Sequence, residues 1–310
     1  MISVLLATHN GADTIERTLA AMSVLRAPSD GWELIVVNNA STDDTERRVL
    51  AWRDRLPLHY LVESRLGKAA AINTGLEHVT GDLIVMTDDD VLPDAGWLVE
   101  WRRAADALPQ CSVLGGAIVP EFDGPPPVWT MPESSYTVLY GATPPYAEGE
   151  IEPRNVSGAN IAVRASLLAQ GWRFGEDFLV GKRGLMGEDA DFVRRAGAAG
   201  HKVGFAPTAR LRHIIHPEQK SWRWIQNRFF RIGRTEFMLE DVKPGHDGPV
   251  FQFPFWRFRR AMGLIPRMLF SRLRGEHAAL FAQGRTLAYD LGAIRQAATL
   301  VWERRRASKA

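Results

Sequence analysis

Two groups of carboxylates define the chemistry this chain could do. Thr87-Asp88-Asp89-Asp90 follows the apolar run Leu83-Ile84-Val85-Met86, and a second pair, Glu188-Asp189, follows Gly187. A strand that delivers several carboxylates to its carboxyl end makes a place for a divalent cation. Oxygen donors suit Mg²⁺ and Mn²⁺, which take few protein carboxylates and leave positions for substrate phosphates. An acid pair on a separate element supplies a proton acceptor. Helix capping would explain either group alone, because acidic side chains favour turns and first helical turns. The segments around them decide between these readings.

Those segments alternate between two periods. Ile2 to Ala7, Leu34 to Val37, Leu58 to Val62, Leu83 to Thr87 and Val113 to Val119 read as apolar strands. Between them Asp13 to Met22, the stretch after Ser41-Thr42-Asp43-Asp44, Lys68 to His78 and the stretch after Asp94 carry helical spacing. Such alternation predicts an α/β fold with a mostly parallel central sheet and helices on both faces. Ligands in such sheets bind beyond the carboxyl ends of the strands, where His9-Asn10, Asn38-Asn39, Glu63 and Asp88 to Asp90 fall. Eight prolines between 120 and 153 predict a loop region without regular helix or central strand. Asn160 to Val163 then reads as strand, Ala165 to Gln170 and Glu188 to Ala198 as helices, and Lys202 to Ala206 as a last strand.

With 310 residues, 45% hydrophobic and 24% charged, the chain has the balance of a globular protein. Cys111 is the single cysteine, which excludes an internal disulfide framework and a cysteine-based metal site. No apolar stretch reaches the roughly 18 to 20 residues of a membrane span, and strand-like Ile2 to Ala7 begins without a leader pattern. A cytoplasmic site of action is expected. Charge is uneven: residues 251–310 hold 12 Lys+Arg against 3 Asp+Glu, leaving 26 basic and 33 acidic groups before them.

The segments Ala7-Thr8-His9-Asn10, Val36 to Asp43, Gly67 to Asn73, Asp88-Asp89-Asp90, Gly158-Ala159-Asn160, Gly187-Glu188-Asp189, and Pro207 with His213 occur in consistent order. From Ser3 to about Arg234 the chain resembles glycosyltransferase family 2, nucleotide-sugar enzymes of the Rossmann-like GT-A fold. The resemblance implies a GT-A domain over 1–220, with a nucleotide-binding half (1–120) and an acceptor-side half (121–220), and a basic helical extension over 221–310. It implies transfer of a sugar from a nucleotide diphosphate to an acceptor hydroxyl, usually with inversion, in bacterial surface polysaccharide or glycolipid assembly. Asp88 and Asp90, with His213 favoured over His216, would hold Mg²⁺ or Mn²⁺. Asp189 would be the general base and Glu188 would orient the acceptor. Thr8, Asn10, Asn38, Arg65, Lys68, Asn73, Asp88 and Asp89 are the expected nucleotide contacts. Asn38 stands where the family often has Asp; its amide both accepts and donates, so uracil, guanine, thymine and cytosine all stay open.

Two other classes compete. A sugar-phosphate nucleotidyltransferase would carry a glycine-rich basic loop after the first strand, which Ala7 to Asp13 lacks. A non-catalytic carbohydrate-binding or scaffold protein would not need Asp88, Asp90 and Asp189 together. In the tail, Phe251 to Phe270 interleave large apolar residues with arginines. That pattern fits either a helix in the interface of an anionic membrane or an arginine-faced helical extension packed on the domain. A carbohydrate or lipid-linked saccharide is the expected acceptor, at a peripheral site on the inner face of the plasma membrane, and nucleic acid is not expected as a partner.

Overall fold

The computed structural model describes residues 1–127, 134–176, 185–242 and 250–307. Strand and helix alternate first: β1 (Ile2–Thr8), α1 (Ile15–Met22), β2 (Trp32–Asn38), α2 (Thr45–Leu50), β3 (Leu58–Val62), α3 (Lys68–Leu76) and β4 (Leu83–Thr87). Then come β5 (Val91–Pro93), α4 (Trp97–Ala107), β6 (Cys111–Phe122), α5 (Ser134–Tyr140) and β7 (Gly149–Glu150). They are followed by β8 (Asn160–Arg164), α6 (Ala165–Leu168), α7 (Glu188–Ala198) and β9 (Lys202–Ile215). The chain ends in α8 (Trp222–Glu236), α9 (Phe255–Leu273) and α10 (His277–Ala307).

Among the described residues the strands form one nine-stranded sheet, ordered β3-β2-β1-β4-β8-β6-β9-β5, with β7 beside β9. β3, β2, β1 and β4 run parallel, as their alternation with helices predicts. β8 joins β4 antiparallel, β6 joins β8 antiparallel, and β5 pairs antiparallel with β9. Period-two alternation splits the strand side chains between two cores. Val4, Leu6, Leu34, Val36 and Val85 face α1 and the Trp97, Leu98 and Trp101 side of α4. Leu5, Ile35, Val37, Ile84 and Met86 face α3 and the Phe192, Val193 and Ala196 side of α7. Each such aliphatic side chain contributes about 1.5–3 kcal/mol on burial. Both strand faces are therefore occupied, and only the strand ends are left for chemistry.

Two expectations need correction. Prolines do not clear 120–153 of regular structure: β6 runs through Pro120 to Phe122, and α5 forms in the proline-free stretch after 133. Pro132 lies outside the described residues. The last strand does not stop at Ala206 but runs from Lys202 through Pro207 to Ile215, fourteen residues in all, because pairing with β5 holds it extended past the proline. Residues 244–249, whose prolines and glycines read as a linker between helices, also fall outside the described residues.

Backbone proximity separates two compact units. One takes the described parts of 1–121, 136–183 and 187–214; the other takes those of 122–135, 184–186 and 215–310. Within the second, Phe237, Ala293, Ala297 and Leu300 make a small core. Asp290 on α10 is fully buried and accepts from Arg260 Nε at 2.7 Å, with Arg257 Nη1 3.4 Å away. A buried carboxylate between two guanidiniums locks α9 to α10, since losing either cation would strand a desolvated charge.

Candidate active site

Parallel pairing brings the carboxyl ends of β1, β2 and β4 to one edge of the sheet, with Thr8 opposite Asn38. Beyond that edge Ala7, Thr8, His9, Asn39, Lys68 and Asp88 to Asp90 line a cleft of about 260 Å³. Asn10 and Ala40, the two non-glycine residues with left-handed backbone among those described (φ 52° and 53°), sit at its rim. Strain of this kind persists where neighbours enforce it: Asn10 Oδ1 accepts from Thr42 N at 2.8 Å, and Asn10 N donates to Ser41 Oγ at 2.9 Å.

The acidic triplet divides its work. Asp88 accepts from the Lys68 ammonium at the start of α3. Asp89 turns back under β1 and accepts from the Thr8 hydroxyl, while its backbone carbonyl accepts from Thr18 Oγ1 at 2.9 Å. Burial, then the Asp90 charge, pushes the Asp89 carboxyl up to about 7. Asp90 Oδ2 lies 3.2 Å from His213 Nε2. The two meet because β5, directly after the triplet, pairs with β9 and sets Val91 opposite His213. His213 Nδ1 donates to the Tyr140 carbonyl at 2.7 Å, which directs Nε2 at Asp90. Burial alone would lower the His213 pKa, but the Asp90 carboxylate and the Tyr140 carbonyl outweigh it and raise it.

Asp88, Asp90 and His213 fit a divalent cation in chemistry. Two carboxylates and an imidazole whose other nitrogen is tied to a backbone carbonyl form a donor set of the required kind. No group of three or more His, Cys, Asp or Glu is gathered closely enough among the described residues to hold a metal as it stands. Asp88 is drawn to Lys68 and Asp90 to His213 instead.

Glu188 and Asp189 open α7. Gly187 precedes them with φ 99°, a backbone that a β-carbon resists, and this bend aims both acids inward. Asp189 Oδ2 accepts from Gly158 N at 2.6 Å, two residues before Asn160, which pairs with Thr87 at the end of β4. A β-carbon at Gly158 would overlap that carboxylate. Glu188 is buried, and burial followed by the Asp189 charge raises its pKa. Lys68 Nζ lies 3.8 Å from Glu188 Oε1 while bonded to Asp88, so one ammonium joins the two acidic groups across the cleft. Burial would lower the Lys68 pKa; Asp88, Glu188 and Asp189 together raise it.

Several expected contacts are engaged elsewhere. Arg65 is held between Glu63 at 2.8 Å and Glu176 at 2.7 Å, so its charge is already balanced by protein carboxylates. Asn73 donates to the Phe174 carbonyl and to Glu176 Oε1 and accepts from Phe174 N, which makes it a clamp on α3. Asn38 donates to Tyr60 OH at 2.8 Å and accepts from Ser41 N at 3.0 Å, one hydrogen bond from each end of its amide. Glu188 faces Lys68 rather than open surface. Asn39, expected at the crevice as a strand-end residue but not among the nucleotide contacts, is central: it donates to the carbonyls of Glu63 and Arg65 and accepts from Gly67 N, shaping the turn that presents Lys68. Its position in an Asn-Asn pair at a strand end was the available signal.

The model of the family described as "Glycosyl transferase family 2" matches residues 3–168. This chain belongs to glycosyl transferase family 2. Among its relatives, the succinoglycan biosynthesis protein ExoM of Rhizobium meliloti (strain 1021) is 28% identical over 233 residues, 74% of this chain and 70% of that protein. A glucosyl-dolichyl phosphate glucuronosyltransferase of Haloferax volcanii is 23% identical over 249 residues, 78% of each. Solved structures share the GT-A architecture. The mannosyltransferase PcManGT from Pyrobaculum calidifontis, in complex with GDP-Man and Mn²⁺, superposes with a TM-score of 0.57 at 22% identity, over 100% of this chain and 80% of that one. S. aureus TarS 1-349 in complex with UDP-GlcNAc gives 0.54 at 20% identity, over 78% and 68%.

Proposed function

We propose that this family 2 member is an inverting, metal-dependent glycosyltransferase that moves a sugar from a nucleotide-diphosphate donor to a carbohydrate or lipid-linked acceptor hydroxyl. The observation that carries the reading is Lys68, whose ammonium faces Asp88 on one side and Glu188 on the other. Thr8, Asn39 and Lys68 line the donor side of the cleft, and Asp88, Asp90 and His213 would hold Mg²⁺ or Mn²⁺ there. When bound, the cation supplies neutralisation of the charge that gathers on the departing diphosphate. Asp189, oriented by Gly158 N–H, takes the proton of the acceptor hydroxyl as its oxygen bonds to the anomeric carbon. The bond from that carbon to the diphosphate oxygen breaks in the same displacement, and its electron pair leaves with the nucleotide.

Relatives named for succinoglycan biosynthesis and for a dolichyl phosphate substrate support a place in polysaccharide or glycolipid assembly; we extend this to a bacterial surface, with the enzyme peripheral on the inner face of the membrane. The test incubates the full chain with UDP- and GDP-sugars, Mn²⁺ and saccharide acceptors. NMR then reads the anomeric configuration of the product, where the opposite configuration to the donor is expected. Retention would overturn a single displacement with one base, and donor consumption that is unchanged by chelator would overturn the cation role.

A further inference from the structure

α9 has two contrasting sides. Its buried side, Arg257, Ala261, Leu264 and Ser271, packs against α10. Beside it Phe255, Phe258, Met262, Ile265, Leu269 and Leu273 recur at the three- and four-residue steps of a single helical stripe. Each is more than half exposed, from 51% at Phe258 to 79% at Leu273. Scattered exposed apolar residues are ordinary on globular proteins; six in line along a 19-residue helix are not.

The charge on this helix says what covers the stripe. α9 carries five arginines and no acidic residue. Arg257 and Arg260 are taken up by Asp290. At helical spacing Arg259 falls at one margin of the stripe and Arg272 at the other, both exposed. No helix among the described residues is long and apolar enough to cross a membrane. A cation-edged apolar stripe on a helix too polar to span is the pattern of a helix lying in the headgroup boundary of an anionic bilayer. A second copy docked by the same stripe would bring like-charged margins together, which opposes association.

We propose that α9 is an interfacial docking helix, with its Phe255 to Leu273 stripe buried among acyl chains and Arg259 and Arg272 on anionic headgroups. This deepens the membrane-side reading above and rests on it for the choice of a bilayer, not on the chemistry of Asp189. The test floats the full chain with vesicles of phosphatidylcholine, with and without phosphatidylglycerol. Wild type is expected to float with the anionic vesicles. Ile265→Asp with Leu269→Asp should lower that partition at least about 100-fold, with the unfolding midpoint unchanged because both side chains face solvent. Arg259→Gln with Arg272→Gln should lower it about 30-fold. Wild type that stays with the soluble fraction, or equal flotation by the double Asp variant, overturns the proposal. So does a lipid-free dimer that the double Asp variant converts to monomer, since a second copy would then be the occupant. A chain that transfers sugar to a water-soluble acceptor yet ignores vesicles overturns docking alone. A chain that floats but transfers nothing overturns the transferase reading alone.

Discussion

Gly158 carries no side chain, and the Asp189 carboxylate occupies the space a β-carbon would need. The pair behaves as one device: a backbone N–H holds one carboxylate oxygen and so sets where the other points. Asp189→Asn keeps the shape and removes the basicity. It is expected to lower kcat by about 10²- to 10⁴-fold while nucleotide affinity, read by calorimetry, stays within about twofold. Gly158→Ala leaves the base in place chemically but displaces it, with an expected loss of about 100-fold in kcat and an unchanged donor KM. A Gly158→Ala enzyme with normal turnover would show that Asp189 need not be held where it is.

The elements around the cleft are joined through Asn160 at the start of β8. Its Oδ1 accepts from Trp97 Nε1 at 2.9 Å, and its Nδ2 donates to the carbonyls of Ala117 and Ala209 at 2.9 and 2.8 Å. One fully buried amide thereby ties α4, β6 and β9 to the strand beside β4. Asn160→Ala leaves an indole N–H and two carbonyls short of a partner, with an expected loss of about 2–4 kcal/mol in urea unfolding. The parallel strands and most helices of this unit were legible in the chain, because alternating apolar runs and helical spacing are local properties. β9 was followed only to Ala206, because Pro207 lacks a ladder N–H and reads as a stop, although the alternation Thr208-Ala209-Arg210-Leu211-Arg212 after it is a half-buried strand pattern. Pairing with β5 keeps it extended and delivers His213.

At the scale of the whole molecule, stability should follow both pH and ligand. Hydrogen bonds from Arg65, then Thr74, hold the Glu63 carboxyl down at about 2. Because the folded-state pKa lies below the ordinary value of 4.5, this contribution is full above pH 4.5 and drains away as pH falls toward 2. Glu63→Gln should therefore flatten the acid side of the urea-midpoint profile and leave its slope above neutrality unchanged. Nucleotide diphosphate with Mn²⁺, at about 100 times its dissociation constant, adds about 2.7 kcal/mol to the folded state. Thermal melts should rise by roughly 5 °C or more, and chelation should remove most of the gain. Equal shifts with and without Mn²⁺ would count against Asp88, Asp90 and His213 as a cation site.

By itself, the order of residues along this chain determined the parallel strands, the helices between them, and the carboxylates and amides at the strand ends. Periodicity and residue type act over a few neighbours, so these need no knowledge of the distant chain. Tertiary structure decided how each polar group is used. Lys68 faces two acidic groups, His213 reaches Asp90 from 123 residues away, and Arg65, Asn38 and Asn73 are drawn into hydrogen bonds of their own. It also decided which side of α9 is covered by α10 and which faces solvent. A side chain's type sets how many hydrogen bonds or how much apolar surface it can offer. Its partner is whatever the folded backbone brings within reach.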